Sequence, residues 1–541
     1  MLRPKPPSRN SFDLRLLLIF VFSLAVAARL LPGARTIDDS YITFRYARNI
    51  LAGNGFVYNP GERVLGTTTP LYALLLTSIG FMTGGPGAPF PQIALLLNAV
   101  ADGFTAMLLL QLGRKFDAHL AGLGAALAWA IAPFSVTFAI GGLETSLYVL
   151  LLTATVAAHL AERRILATFL AALALLTRPD ALILLGPLAV DRAWQIWISR
   201  RSLSRRVCRG IATEILAFLL PCLGWFTFAY LYFGNLLPHS IAAKSLAYRL
   251  EPLSALTRLV QHYTTPFLGH LTFGIPWIGV GLFIYPFFYL VGARKAWKAA
   301  PHAWPFLAFP WFYLITFAIP NPLIFRWYLT PPLPVYFLVI LTGLQQILTT
   351  QLGRFRKGKI APNQAQSPIE LGRLQQAALV FFVLLTPVLL SLRGWTLTPD
   401  HGSRRPAPEM AWFKLELLYR QAASLLPPSP EQLDETSPVL AAGDVGVLGY
   451  YTSMRILDTV GLNSPISTNY YPADADLFVI NYAIPPELIL ENLPDYIIIL
   501  EVYGRAGLLK DTRFWENYQL RDKLSTDIYG SDGMLILERK R

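Results

Sequence analysis

Two adjacent carboxylates, Asp38 and Asp39, follow directly on an apolar stretch and open a string of aromatic and basic residues, DDSYITFRYARNIL. Neighbouring acids repel each other's charge, which raises one of the two pKa values and suits that group to take a proton from a hydroxyl. A plainer reading makes one of them a helix cap, because carboxylate and hydroxyl oxygens satisfy the free N–H groups and the positive dipole end of a first turn. A cap accounts for one acid and leaves the other without a role, and periodicity alone does not choose between the two readings. Helical spacing sets Asp38, Tyr41 and Arg45 on one stripe, with Asp39, Phe44, Tyr46 and Arg48 nearer others. The segment can therefore lie flat, aromatics in an interface and polar groups towards a cavity.

Further polar residues stand at the ends of apolar runs. They are Glu144 in GGLETSLY, Arg178 and Asp180 in LLTRPDAL, His239 and Lys244 in GNLLPHSIAAKS, and Arg326 in RWYLTPPLP. Each also has a structural reading. Glu144 can cap the helix that follows it, Arg178 can pair with Asp180 across Pro179, and Arg326 can anchor an interface beside Trp327 and Tyr328. Lys244 and His239 can be ordinary loop residues. Asp102 and Glu214 fall inside apolar runs, where an acid must find a partner in helix packing or a polar cavity. No H-x-x-H or HExxH spacing occurs, so a divalent cation between Asp38 and Asp39 has no support from a metal motif and is left open.

The elements that position these residues are membrane helices. The 541 residues are 54% hydrophobic with a mean hydropathy of +0.44 and only 15% charged residues, which implies a polytopic membrane protein. The net charge of +13 is unevenly spread: residues 1–392 hold 32 Lys/Arg against 13 Asp/Glu, and residues 393–541 hold 14 against 20. The basic excess is short and scattered over membrane ends, which argues against nucleic-acid binding. Two cysteines, Cys208 and Cys222, predict neither a disulfide nor a CxxC metal site.

A span needs about 20 apolar residues, fewer where neighbours shield it. About eleven spans are predicted, over 14–31, 91–112, 118–139, 145–160, 165–177, 180–190, 211–233, 271–292, 303–320, 328–350 and 374–392. The run Pro70–Met82 is short and is read as an interfacial helix. With it lying flat, the predicted inside loops carry 21 Lys/Arg and the outside loops 9, which puts the N-terminus in the cytoplasm and Asp38 outside. The first span is read as an uncleaved anchor. The loop RFRKGKIAPNQAQSPIE is read as polar and cytoplasmic.

After Arg393 a Pro-rich connector, including LPPSPEQ, leads to β-branched runs in SPVLAAGDVG, MRILDTVG, DYIIILEVYG and GMLILERK, with a helix-like PELILEN between them. The expected organisation is a membrane unit, 1–392, whose first external loop is 32–90, and an extracytoplasmic α/β domain, 393–541.

The string DDSYITFRYARNILAGNGFVYNPGERVLGTTTPLY, together with GGLETSLY, LLTRPDAL, GNLLPHSIAAKS and RWYLTPPLP, resembles the GT-C superfamily of polyprenyl-phosphate-dependent membrane glycosyltransferases, in the branch of the terminal arabinofuranosyltransferases. The tail carries only the looser GDVGVLGYY, ILDTVGL and PDYIII patterns. The resemblance implies transfer of a sugar, hexose or pentose, from a polyprenyl-phosphate donor to a cell-envelope glycan at the outer face of the cytoplasmic membrane. It makes Asp38 the expected base with Asp39 as its partner. Arg326, Lys244 and His239 become candidates for the donor phosphate, and Tyr41, Arg45, Glu144 and Arg178 for the substrate cavity. No nucleotide fold is needed for a lipid-borne donor, and no glycine-rich phosphate loop is present in the sequence. A transporter or flippase of a lipid-linked sugar is the alternative. Transporters carry ionisable groups at mid-membrane, commonly with repeat symmetry, whereas here the acids lie in a loop and no repeat is found.

Overall fold

A computed structural model describes residues 9–198, 204–357, 367–400, 403–411, 414–427 and 433–540. Parts of the RFRKGKIAPNQAQSPIE loop, of LPPSPEQ and of the basic loop after Ile198 lie outside the described residues.

The first two thirds of the chain is helical, as the apolar runs require. Among the described residues, five helices are long and apolar enough to cross a membrane: Phe90–Lys115, Pro179–Ile198, Arg205–Phe233, Pro276–Ala299 and Arg326–Leu352. The expected single span 118–139 is instead a pair of helices, His119–Ile131 and Pro133–Ile140, bent by 44°. Ala132 between them has φ −58° and ψ 127°, because a residue before proline is pushed out of the helical region. Counted as one, that pair is a sixth span. Shorter apolar helices, Pro70–Thr83, Thr145–Leu160 and Arg164–Thr177, pack among them.

Acids inside apolar helices have found cations. Asp102 meets Nε of Arg29 at 2.9 Å, both fully buried, and accepts from Ser146 Oγ at 2.9 Å. A further hydrogen bond ties the same guanidinium to the Ala130 carbonyl, so Arg29 joins the first helix Arg9–Leu30 to the end of His119–Ile131. Glu214 holds Arg192 through two bonds of 2.7 and 2.8 Å. Isolated charges would be prohibitive at these depths; paired and hydrogen-bonded ones fix which helices are neighbours.

The tail is a small α/β unit. A hairpin of strands β1 (Trp395–Asp400) and β2 (Ser403–Pro408) comes first, where the sequence reads as connector. Proline is tolerated there because both strands of a two-stranded ribbon have a free edge that needs no donor. The main sheet contains β3 (Val439–Ala442), β4 (Arg455–Asp458), β5 (Tyr496–Leu500), β6 (Tyr518–Leu524) and β7 (Met534–Arg539) in the order β4-β3-β5-β7-β6. β3 runs parallel to β4 and β5; β7 runs antiparallel to β5 and β6. β3, β4, β5 and β7 fall in the four β-branched runs, and the helix Pro486–Asn492 falls in PELILEN. Edge strand β6, YQLRDKL, is mostly exposed and carries no apolar signal to betray it.

Candidate active site

The helix Asp38–Leu51 starts a few residues after the helix Arg9–Leu30 ends. Its start is pinned by the GGLE turn: Arg35 N donates to the Ile140 carbonyl at 2.8 Å, and Ile37 N and Ser40 Oγ donate to the Gly141 carbonyl at 2.9 and 2.6 Å. Gly142 completes that turn at φ +80°, a conformation L side chains rarely adopt. Successive helical side chains diverge by about 100°. Asp39 consequently faces a cavity of about 590 Å³, and Asp38 is turned away from it.

Six segments of the helical part and one from the tail wall this cavity. The first-loop helix gives Asp39 and Thr43, and the GTTT run gives Thr67, Thr68 and Thr69. Glu144, Arg178 and Asp180 come from the ends of neighbouring helices, Ser240, Lys244 and Tyr248 from the helix His239–Ala247 and its end, and Phe325, Trp327 and Tyr328 from the segment before and within the turn Arg326–Leu329. Leu462 reaches in from the tail.

Lys244 Nζ lies 3.6 Å from Asp39 Oδ2 and 4.5 Å from the centre of the Phe325 ring. Burial works against its charge, but Tyr328 and Asp39 outweigh it and hold the ammonium above its ordinary pKa. Ser240 lies one turn before Lys244 on the same helix face, and its buried Oγ has no hydrogen-bond partner among the described residues. Hydroxyl and ammonium are thus two hydrogen-bond donors on one wall of the cavity.

Arg178 is engaged differently. Nη1 meets Glu144 Oε1 at 2.8 Å and Nε meets Asp180 Oδ1 at 2.9 Å, with the Tyr328 ring 4.9 Å away. The pairing across Pro179 read from the sequence is present, and it extends to Glu144. Glu144 stands at the N-cap position of Thr145–Leu160 but makes no capping bond, its carboxylate being spent on Arg178. With both flanks occupied by acids, Arg178 offers little free charge to an incoming anion.

Five other candidates do not line the cavity. Asp38 Oδ2 accepts from Gly446 N at 2.8 Å and Oδ1 from Val447 N at 2.7 Å. Arg45 donates to the carbonyls of Tyr58, Gly449 and Met454 and to Asn59 Oδ1. Tyr41 packs against Tyr450 and Tyr451, its OH 3.4 Å from that of Tyr451. These three bind the tail. His239 donates its backbone N–H to Leu65 O at 2.8 Å, and burial lowers the pKa of its ring. Arg326 is exposed at the start of the turn Arg326–Leu329, beside three aromatics that do face the cavity.

The tail also brings carboxyls close to the first loop. Burial pushes Glu416 up to about 7 and Asp444 up to about 6. Burial, together with the charge of Asp444, holds Asp38 well above the usual carboxylate range, although the two amides it accepts from pull the other way.

Thr67 to Thr69, Ser240, Tyr248 and Leu462 are cavity residues that sequence reasoning did not single out. The i, i+4 spacing of Ser240 and Lys244 was a usable signal; nothing near Leu462 in sequence connects it to Asp39.

Residues 419–536 match a family model described as a domain of unknown function, DUF8728. A stretch of 116 residues is 35% identical to the terminal β-(1→2)-arabinofuranosyltransferase of Mycobacterium tuberculosis, covering 20% of this chain and 18% of that protein. ArnT from Cupriavidus metallidurans bound to undecaprenyl phosphate superposes with a TM-score of 0.51 at 13% identity over 98% of both chains. The archaeal oligosaccharyltransferase AglB from Archaeoglobus fulgidus, in complex with an inhibitory peptide and a dolichol-phosphate, gives 0.52 at 12% identity over 92% of this chain and 72% of that one. At these identities the likeness to the solved structures is one of fold.

Proposed function

We propose that this chain, a multi-pass membrane protein with the GT-C fold, transfers a sugar from a polyprenyl-phosphate donor to a cell-envelope glycan at the outer face of the cytoplasmic membrane. The observation that carries the reading is the placement of a carboxylate, Asp39, and an ammonium, Lys244, 3.6 Å apart on one cavity wall. The lipid phosphate bound to the solved ArnT and the sugar transfer named for the mycobacterial relative support it. A pentose is the sugar that the relative's name favours. The membrane unit 1–392 would hold the reaction and the unit 393–541 would lie outside the membrane, with the N-terminus in the cytoplasm.

The acceptor hydroxyl attacks C1 of the donor sugar, and the bond between C1 and the phosphate oxygen breaks. Polyprenyl phosphate leaves with that electron pair, and the hydroxyl proton passes to Asp39. Lys244 and the Ser240 hydroxyl face the phosphate oxygens as negative charge develops on them. Asp39 takes the role that the sequence assigned first to Asp38, because only Asp39 borders the cavity. The paired Arg178, Glu144 and Asp180 supply fixed hydrogen-bonding groups to sugar hydroxyls. Arg326 remains available at the cavity rim as a second cation for the leaving lipid phosphate. His239 and a divalent cation are not required by this scheme.

Sugar transfer in membranes from radiolabelled polyprenyl-phosphate sugars, comparing wild type with Asp39→Asn, tests the reading. Loss of product at normal expression supports it, and undiminished transfer rejects it. Movement of lipid-linked sugar across vesicles with no glycan product would establish the flippase instead.

A further inference from the structure

The first-loop helix grips one short helix of the tail, Gly446–Tyr451, along its whole length. At the N-terminal end the Asp38 carboxyl accepts from the first two amides of the helix, Gly446 and Val447. At the other end Arg45 Nη1 reaches the Gly449 carbonyl and Arg48 Nη1 the Tyr450 carbonyl at 2.7 Å, with the Arg48 guanidinium 3.7 Å above the Tyr450 ring. The Asp38 carboxyl thus caps the free amides at one end of the tail helix, and two guanidiniums cap its carbonyls at the other. The approach is so close that a Cβ on Gly446 would overlap the Asp38 carbonyl oxygen.

We infer that Asp38 is a positioning residue that docks the tail onto the membrane unit, and that docking sets the neighbouring Asp39 and the tail-borne cavity wall in place together. Asp38 and Asp39 share one helical turn, so a force that fixes the first fixes the second. Val445 anchors the same junction by accepting from Tyr58 OH at 2.6 Å. The loop after β4 is carried on the same sheet, and there Asn463 Oδ1 accepts from Tyr46 OH at 3.2 Å while Leu462 enters the cavity. The catalytic consequence rests on the assignment of Asp39 as base; the docking itself does not.

The test uses the full-length protein in detergent and in membranes, with Asp38→Ala, Asp38→Asn and Asp39→Asn. Hydrogen exchange at 446–451 and 38–51 reads docking without reference to activity, and sugar transfer reads the consequence. An asparagine keeps one carboxamide oxygen for one of the two amides, so Asp38→Asn should retain transfer within about tenfold of wild type, whereas Asp38→Ala should lose about a hundredfold. Exchange at 446–451 should rise in the alanine variant and stay at the wild-type rate in Asp39→Asn. The pH dependence of transfer by Asp38→Asn should keep the wild-type midpoint, which a base substitution would abolish or move. Should Asp38→Ala fail to accumulate, Gly446→Ala strikes the same contact from the tail side and should raise exchange in the same segments. Equal inactivity of Asp38→Asn and Asp38→Ala with wild-type exchange would make Asp38 the base and overturn the inference, as would unchanged exchange in the alanine variant. Full activity of Asp39→Asn alongside released exchange in Asp38→Ala would sink the assigned base and leave the docking role standing.

Discussion

The ammonium of Lys244 stands 3.6 Å from the carboxylate of Asp39, one side chain delivered by the short helix His239–Ala247 and the other by the first-loop helix. Charges at that separation restrain each other only modestly while water reaches them, and a donor phosphate entering the cavity competes directly for the ammonium. Binding of donor would then free Asp39 to accept a proton at the moment the leaving group is being stabilised.

Replacing Lys244 separates the two duties. Lys244→Met should raise the apparent KM for the polyprenyl-phosphate donor about ten- to a hundredfold, the worth of a hydrogen bond to a charged group. Lys244→Arg should recover much of that loss. Asp39→Asn should instead lower kcat by about a hundred- to ten-thousandfold with donor binding retained. Steady-state kinetics with donor varied at saturating acceptor distinguish the two, and a Lys244→Met enzyme with wild-type donor KM would contradict the phosphate role.

Acid should tighten the junction between tail and membrane unit. Glu416, at about 7, and Asp444, at about 6, hold their protons more firmly folded than unfolded. Their stabilising contribution is therefore complete below the ordinary carboxylate pKa of about 4 and disappears as pH rises through their folded values. Thermal unfolding in detergent should show a higher Tm at pH 5.5 than at pH 8. Glu416→Gln, which cannot ionise, should flatten the upper part of that dependence. A Tm that climbs with pH over this interval would show that other groups govern the junction.

Arg29 and Asp102 form a pair whose halves depend on each other. Arg29→Met should leave the Asp102 carboxylate stranded among apolar helices at a cost of about 3–5 kcal/mol, seen as loss of monodisperse protein on gel filtration. The double variant Arg29→Met/Asp102→Leu should recover folded protein, since removing both charges removes the desolvation penalty. A double variant no better than the single one would mean that the pair is needed for more than neutrality.

The long apolar helices were legible because their signal is local, although of about eleven expected spans only five, or six with the bent pair, are long and apolar enough to cross a membrane among the described residues. The same holds for β5, whose IIIL run is buried at the centre of its sheet. The 44° break at Pro133 was hidden because hydropathy stays high through it. The acidic pair was visible, yet which acid faces the cavity depends on a rotation of about 100° and on a tail helix some 400 residues downstream, neither of which spacing alone reveals. Glu144 looked like a cap and is an ion-pair partner, since Arg178 approaches it from a separate helix.

Leu462 has a consequence for how the molecule comes into being. The carboxylate and the ammonium are synthesised early, but Leu462, which lines the cavity beside them, is added only after the whole helical part has been made. A ribosome-bound chain consequently exposes an unwalled pocket to the lipids around it. On the proposed function, sugar transfer would wait until the tail has settled against the first-loop helix, so a chain interrupted before Leu462 carries its carboxylate and ammonium beside an incomplete cavity wall.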